Sequence, residues 1–341
     1  MPERIGLLVG WENTFPPAFI ERVNKEPGVV AEIAKIGGTP EKFNPPYRVL
    51  IDRISHEIPH YRIHLKAAQL AGTYVINDPL WWQADDKFFG FSMASKIGVA
   101  VPRTVLLPQR DYQKSIDKNR SLRNLEYPLD WEAITKYVGF PAILKPAEGG
   151  GWKNVSRVNN EEELLRDYNG SGELAMTLQE FIDFDDYVRC ICIGKDFILP
   201  IRYDPKQRRY LVEDNYLDKA VGQKVVDGAW KICESLGYDM NSVEFAIKDG
   251  VPYAIDFTNP APDMDYWSIT EHYFKIVVEQ MALFAVRCVK EGRQPRLGRY
   301  SFGDFLPGGP RHNEEGPVAK ALRSGDPAKV IAASNKAIRI D

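Results

Sequence analysis

The sequence predicts an α/β chain of the α+β kind, built as successive subdomains, and three observations predict it. Residues 4–78 alternate strand, helix and strand, which marks a small open α/β unit. From 139 onward apolar runs of strand length dominate, as in an antiparallel sheet with one or two covering helices. Two longer helical stretches, 219–237 and 268–292, then bracket a pair of strands. With 341 residues, 44% hydrophobic and 27% charged, the chain is large enough for two or three packed subdomains.

The elements follow in order. Arg4-Ile-Gly-Leu-Leu-Val-Gly10 is a short apolar run closed by glycine, and Tyr47 to Ser55 is a second, entered through the turn Asn44-Pro45-Pro46. Tyr61 to Gly72 carries apolar residues at helical spacing with glycine after its end, and Thr73 to Asp78 is the third strand. Asp78 is a candidate N-cap with Pro79 at the first helical position, so 78–98 reads as one or two helices. Val99 to Pro108 leads out as a strand, and 109–135, polar and aperiodic, reads as a connecting segment. Strands are expected at 140–146, 153–158, 177–182, 186–194 and 196–204, with a helix at 160–170. Gly237 and Gly292 stop the two long helices, and Asp249-Gly250 turns a hairpin between Ser242–Lys248 and Val251–Phe257. The expected divisions are 1–105, 106–183, 184–295 and a tail, 296–341, holding one short helix.

A formal charge of −3 offers no overall basic field, so neither nucleic acid nor an anionic membrane is an expected partner. No apolar run approaches the ~20 residues of a membrane span, and no basic-then-apolar leader opens the chain; a cytoplasmic location is expected. Four scattered cysteines do not form a disulfide framework, and Cys190 and Cys192, two apart on one strand, read as core.

Three constellations bear on chemistry. Gly139-Phe-Pro-Ala-Ile-Leu-Lys145-Pro-Ala-Glu-Gly-Gly-Gly151 places a lysine at the end of an apolar strand before three glycines. Bare backbone N–H groups beside a point charge suit phosphate, although the spacing fits neither a Walker loop nor a dinucleotide fingerprint, and a plain hairpin loop is the alternative. In the second, Glu244 lies on one strand of the hairpin and Asp256 and Asn259 at the end of the next. Two carboxylates and an amide oxygen suit magnesium held between protein and phosphates; the alternative is solvated acids. The third, Leu178-Gln-Glu180-Phe-Ile-Asp-Phe-Asp-Asp186-Tyr-Val-Arg189, puts a glutamate in an apolar run ahead of an acidic loop, either as an interdomain hinge or as a surface hairpin.

In this order the three resemble the ATP-grasp superfamily, over roughly 73–265. Upstream, Asp86-Lys87 before a helix and Gly98-Val-Ala-Val-Pro102-Arg-Thr104 are similar to that family's corresponding segment. The resemblance implies an ATP-grasp fold with an N-terminal open α/β subdomain, a central lid and a C-terminal antiparallel-sheet subdomain. It also implies ATP and Mg²⁺ as cofactors, with Mn²⁺ as a candidate substitute. Carried over residue by residue, Lys87 and Lys145 match the phosphate lysines, and Gly149, Gly150 and Gly151 the phosphate loop, with Lys153 moving beside it. Glu180, Phe181 and Ile182 match the adenine hinge, Asp185 or Asp186 the ribose carboxylate, and Glu244, Asp256 and Asn259 the metal ligands. Asp256-Phe-Thr-Asn259 is one residue longer than the common acid-x-Asn pattern, which leaves the role of Asn259 open.

Such a site supports ATP-dependent joining of a carboxylate to an amine through an acyl phosphate, on small-molecule or peptide substrates, with a homodimer as a candidate assembly. Arg189 and Arg202, on the two strands after the hinge, are the candidate catalytic cations because a guanidinium grips a carboxylate bidentately. A small-molecule kinase and a nucleotide-binding protein without turnover are the alternatives. Acceptor contacts are expected from 10–16 and 259–267. Trp11, Trp81 and Trp82 either line a ligand mouth or pack, and packing is the expected role. His56-Glu-Ile-Pro-His60 matches the zinc-protease pattern, but Pro59 cannot sit inside the continuous helix that chemistry needs; it is expected to open the next helix instead.

Overall fold

The computed structural model describes residues 1–80, 86–149, 153–213 and 216–297, and beyond them 320–321, 324, 326, 328–329 and 332–333. The expected C-terminal extension thus falls almost wholly outside the described residues.

The first sheet is parallel, in the order β2-β1-β3-β4, from β1 (Glu3–Leu8), β2 (Val29–Ile33), β3 (Val49–Asp52) and β4 (Tyr74–Ile76). Two of its elements were not read from the sequence: β2, and α1 (Phe15–Val23), the helix that crosses back to it. Phe15, Phe19 and Val23 recur every four residues and are fully buried, a periodicity that predicts α1 once sought. α2 (Pro59–Leu70) opens on Pro59, whose missing N–H costs nothing in a first turn. His56 therefore lies before the helix, and among the described residues no group of three or more His, Cys, Asp or Glu is placed to hold a metal.

α3 (Lys87–Lys96) is capped by Asp86, whose carboxylate accepts from Phe89 N, and leads to β5 (Thr104–Leu107). The second sheet is antiparallel, β5-β8-β6-β7, with β6 (Ala142–Pro146), β7 (Ser156–Val158) and β8 (Met176–Glu180). The segment 109–135, expected to be a plain connection, instead holds the single turn α4 (Lys118–Ser121) and the start of α5 (Trp131–Val138). α6 (Glu161–Asn169) covers the same sheet, and Val138, Leu144, Leu164 and Leu178 make a small separate core.

The third sheet is antiparallel, β11-β10-β9-β12-β13, from β9 (Asp186–Ile193), β10 (Phe197–Asp204), β11 (Arg209–Leu211), β12 (Met240–Lys248) and β13 (Val251–Asp256). One face packs Val188, Cys190, Val243 and Phe245 against α7 (Lys219–Leu236) and Phe91 of α3. Ile191, Leu199 and Ile201 on the opposite face meet α8 (Tyr266–Lys290) and, through it, Ile5, Leu7 and Val49 of the first sheet. α7 ends on Gly237 in the left-handed conformation, and all four cysteines are buried and unpaired. No helix among the described residues is long and apolar enough to cross a membrane.

Candidate active site

One face of the third sheet departs from the apolar rule across β9, β12 and β13. Along it stand Tyr187, Arg189, Glu244 and Asp256, where each apolar side chain would contribute roughly 1.5–3 kcal/mol of burial. Polar groups kept at that cost mark a site of function.

Three elements converge there. Glu244 pairs directly with Asp256, and the register slips at the next step so that Phe245 faces Ala254. Ile255 is thus the extra residue of a bulge, which re-aims Asp256 toward Glu244 and turns the Ile255 carbonyl out of the ladder. That carbonyl accepts from Lys145 Nζ at 3.2 Å; Gln179 Oε1 accepts at 3.0 Å, and the ammonium lies 5.1 Å from the ring centre of Phe91. Lys87, at the start of α3, is tied to the strand-end segment by its own N–H to Ala147 O, and its Nζ reaches Asp256 Oδ1 at 3.4 Å. Lys87 therefore reaches Asp256 directly, while Lys145 sits beside it, on the carbonyl of the preceding residue.

Charge follows from that crowding. Burial pulls the Lys145 ammonium down to about 8, helped by Lys87 and opposed by Asp256. Burial would raise Asp256, but the charges of Lys87 and Lys145 outweigh it and hold that carboxyl below its ordinary value. Glu244 moves the other way: burial first, then the Asp256 charge, raises it against the pull of Arg189. Arg189 Nη2 lies 2.5 Å from Glu244 Oε1, and Tyr187 OH donates to Oε2. The guanidinium stacks 4.0 Å over Tyr203.

A divalent cation fits this donor set. Two carboxylates adjacent across a hairpin, one of them ionised with difficulty, are what a hard cation relieves. Asn259 Nδ2 donates to Ser242 Oγ at 3.1 Å, two residues before Glu244 on the same strand, which leaves its amide oxygen for a ligand. Asn241, fully buried and not singled out from sequence, absorbs the extra residue of Asp256-Phe-Thr-Asn259: its amide donates to Phe257 O at 2.8 Å and accepts from Asn259 N at 3.1 Å.

Other expected residues are placed differently. Arg202 pairs with Leu211 and Val188, so it projects from the face opposite Arg189, where it bonds Asp186 and Glu213. The two arginines are thus not brought together. Asp186 is that ion pair's partner, and Asp185 caps the hairpin through Lys248 and Asp249 N. Glu180 closes β8 in a two-pronged bond from Arg103, whose hydrogen bond holds the carboxyl below its usual range. Phe181 lies 4.3 Å under the Arg157 guanidinium, and Phe181 and Ile182 are half-buried in the connection between second and third sheets. Gly149 takes φ +85, with nothing within 4 Å of where a side chain would start, so backbone there is bare and left-handed. Gly150 and Gly151 lie outside the described residues, as do Trp81 and Trp82, and Lys153 is exposed.

The two segments singled out for acceptor contacts are fastened together. Asp265 accepts from Asn13 N, Thr14 N, Thr14 Oγ1 and Phe15 N, serving the start of α1 from 250 residues away. Burial would raise its carboxyl, but those bonds outweigh burial and lower it. Glu12 accepts from Met264 N and from Arg53, which is buried and also donates to Pro262 O. Asn77 links β4 to the start of β12 and to Pro260 O. Trp11 does not pack: it is 92% exposed at this junction, and Trp267 is 80% exposed.

No family model matches the chain. Among curated proteins it is 31% identical over 134 residues to a formate-dependent phosphoribosylglycinamide formyltransferase of Prochlorococcus marinus, 35% of this chain and 34% of that protein. It is 26% identical over 160 residues to a D-alanine–D-alanine ligase of Polynucleobacter asymbioticus, 41% of this chain and 47% of that protein. The chain thus spans less than half the length of these two relatives. Among solved structures, a RimK domain ATP-grasp protein of Sphaerobacter thermophilus superposes with a TM-score of 0.60 at 17% identity, over 83% of this chain and 99% of that one. A D-alanine–D-alanine ligase of Bacillus anthracis complexed with ATP gives 0.56 at 16% identity, over 85% and 99%. The fold is that of the ATP-grasp proteins.

Proposed function

We propose that the chain is an ATP- and Mg²⁺-dependent ligase that joins a carboxylate to an amine through an acyl phosphate. The observation that carries this reading is the convergence of Lys87 and Lys145 beside Asp256, directly across the β12–β13 hairpin from Glu244. Two ammonium groups close to two carboxylates suit a polyphosphate and its cation. Ligases among the similar proteins support the class, and the exposed junction of 10–16 with 259–267 supports a second substrate beside the nucleotide.

The chemistry then follows from the residues. Lys145 and Lys87 offset charge on the phosphates, and the bare backbone at Gly149 lets the lid approach them. Glu244, Asp256 and the amide oxygen of Asn259 would hold Mg²⁺, which supplies neutralisation of the phosphoryl charge when bound. Phe181 and Ile182 offer backbone groups to the adenine edge. Arg189 holds the acid substrate, whose carboxylate oxygen forms a bond to the γ-phosphorus as the bond to ADP breaks. The amine nitrogen then bonds to the acyl carbon, phosphate leaves, and the amine loses a proton. Arg202, on the far face, steadies Asp186 and takes no part in this scheme.

The test is an ADP-release screen of carboxylates crossed with amines, with phosphate measured alongside. Amine-dependent release of ADP and phosphate in equal amounts is expected, and Asp256→Asn is expected to lower it at least 100-fold without unfolding. Unchanged release in Asp256→Asn would remove the assignment, and a phosphorylated product without free phosphate would replace the ligase by a kinase.

A further inference from the structure

Toward carboxylates, Arg189 is only half used. Of the edge formed by Nε and Nη2, which fits a carboxylate side-on, Nη2 meets Glu244 while Nε is enclosed and has no hydrogen-bond partner among the described residues. A carboxylate gripped side-on would fill both prongs. Glu244 does not, because its second oxygen is taken by Tyr187. The guanidinium has support that does not depend on Glu244: Tyr203 lies 4.0 Å beneath it and Tyr210 5.9 Å away, an aromatic seat that keeps it in place if the ion pair opens.

Glu244 is also the residue adjacent to Asp256, and the pair forms the cation site argued above. Arg189 and a divalent cation would thus compete for the same oxygen in an enclosed setting, where like charges repel strongly. The dication draws on Asp256 as well and prevails. We propose that Arg189 stands in for the metal at Glu244 in the unloaded protein, and that a divalent cation taking Glu244 and Asp256 releases the guanidinium to grip the acid substrate's carboxylate through both prongs. Metal loading and capture of the acid are thereby coupled through one side chain. The coupling to the acid rests on the ligase reading; the exchange at Glu244 does not.

The probe is Mn²⁺ alone, with free ion read by its paramagnetic resonance signal and no turnover required. Arg189→Gln, which removes the competing charge, is expected to bind Mn²⁺ about tenfold more tightly than the unaltered protein. Arg189→Lys, which keeps the charge, is expected to stay within threefold of it. Arg189→Met serves as a second neutral variant if Arg189→Gln does not fold. A purely structural arginine predicts the reverse, since its loss would disorder Glu244 and weaken the metal. Equal or weaker Mn²⁺ binding by the folded neutral variant overturns the exchange. Tighter binding in a protein that fails every acid and amine pair keeps the exchange and removes only the ligase reading.

Discussion

Lys145→Met without nucleotide has an expected outcome whose sign changes with pH. Lys145 is 9% exposed, and burial lowers its pKa from 10.5 to about 8. That difference corresponds to a penalty of about 3 kcal/mol on the charged form in the folded protein. Below pH 8 the lysine is charged folded and unfolded, so the folded state carries the whole penalty. Between pH 8 and 10.5 the unfolded chain keeps the proton that the folded one has lost, so stability rises with pH; above 10.5 the penalty is gone. Methionine fills a similar volume without a charge, but it forfeits the bonds to Gln179 and the Ile255 carbonyl, together about 1–2 kcal/mol. At pH 7 the variant is therefore expected to be the more stable by about 1–2 kcal/mol. Near pH 10, where less than about 1 kcal/mol of the penalty is left, it is expected to be the less stable by up to about 1 kcal/mol, while binding ATP poorly throughout. Urea unfolding of both proteins between pH 7 and pH 10 measures the difference, in which titrating groups remote from Lys145 cancel. A variant less stable than the unaltered protein at pH 7, or a difference that does not move with pH, would refute the reasoning.

Other outcomes follow from the same structure. Asn241→Ala strips a partner from the buried Phe257 carbonyl and from Asn259 N, for an expected loss of about 1–3 kcal/mol in urea unfolding and weaker Mn²⁺ binding; unchanged metal affinity would show that Asn259 is not a ligand. Asp265→Ala unfastens 13–15 from 259–267, with an expected loss of about 1–2 kcal/mol and a raised KM for the amine at near-constant KM for ATP. Because the Asp265 carboxyl is held below its ordinary value, its stabilisation is complete above the unfolded carboxyl pKa and fades as pH falls through the lower folded one. An acid-unfolding curve that Asp265→Ala leaves in place would contradict that.

Local signals carried far in this chain. Lys145 at a strand end before glycines, Pro59 at a helix start, the Asp249-Gly250 turn and the Gly237 stop each act through residues adjacent in sequence, and each is where the reading put it. Other local signals are fainter: Phe15, Phe19 and Val23 announce α1, and Pro27-Gly28 precedes the apolar β2. Trp11 was expected to pack, yet a tryptophan's size says nothing of whether a partner surface lies over it.

By itself the sequence determined the elements, their order, and which residue types could meet phosphate and metal, because strand alternation, turns and caps depend on neighbours in the chain. Tertiary structure alone decided which of them meet. Arg189 and Arg202 part to opposite faces because the hairpin at Gly194-Lys195, both at positive φ, sets Arg189 against Ile201; a register one residue different would bring them to the same face. The bulge at Ile255 turns Asp256 to Glu244 and offers a carbonyl to Lys145, and no local propensity marks it. Asp265 joins 10–16 to 259–267 across the whole chain by satisfying N–H groups that α1 cannot satisfy itself, a debt visible only when both ends are folded.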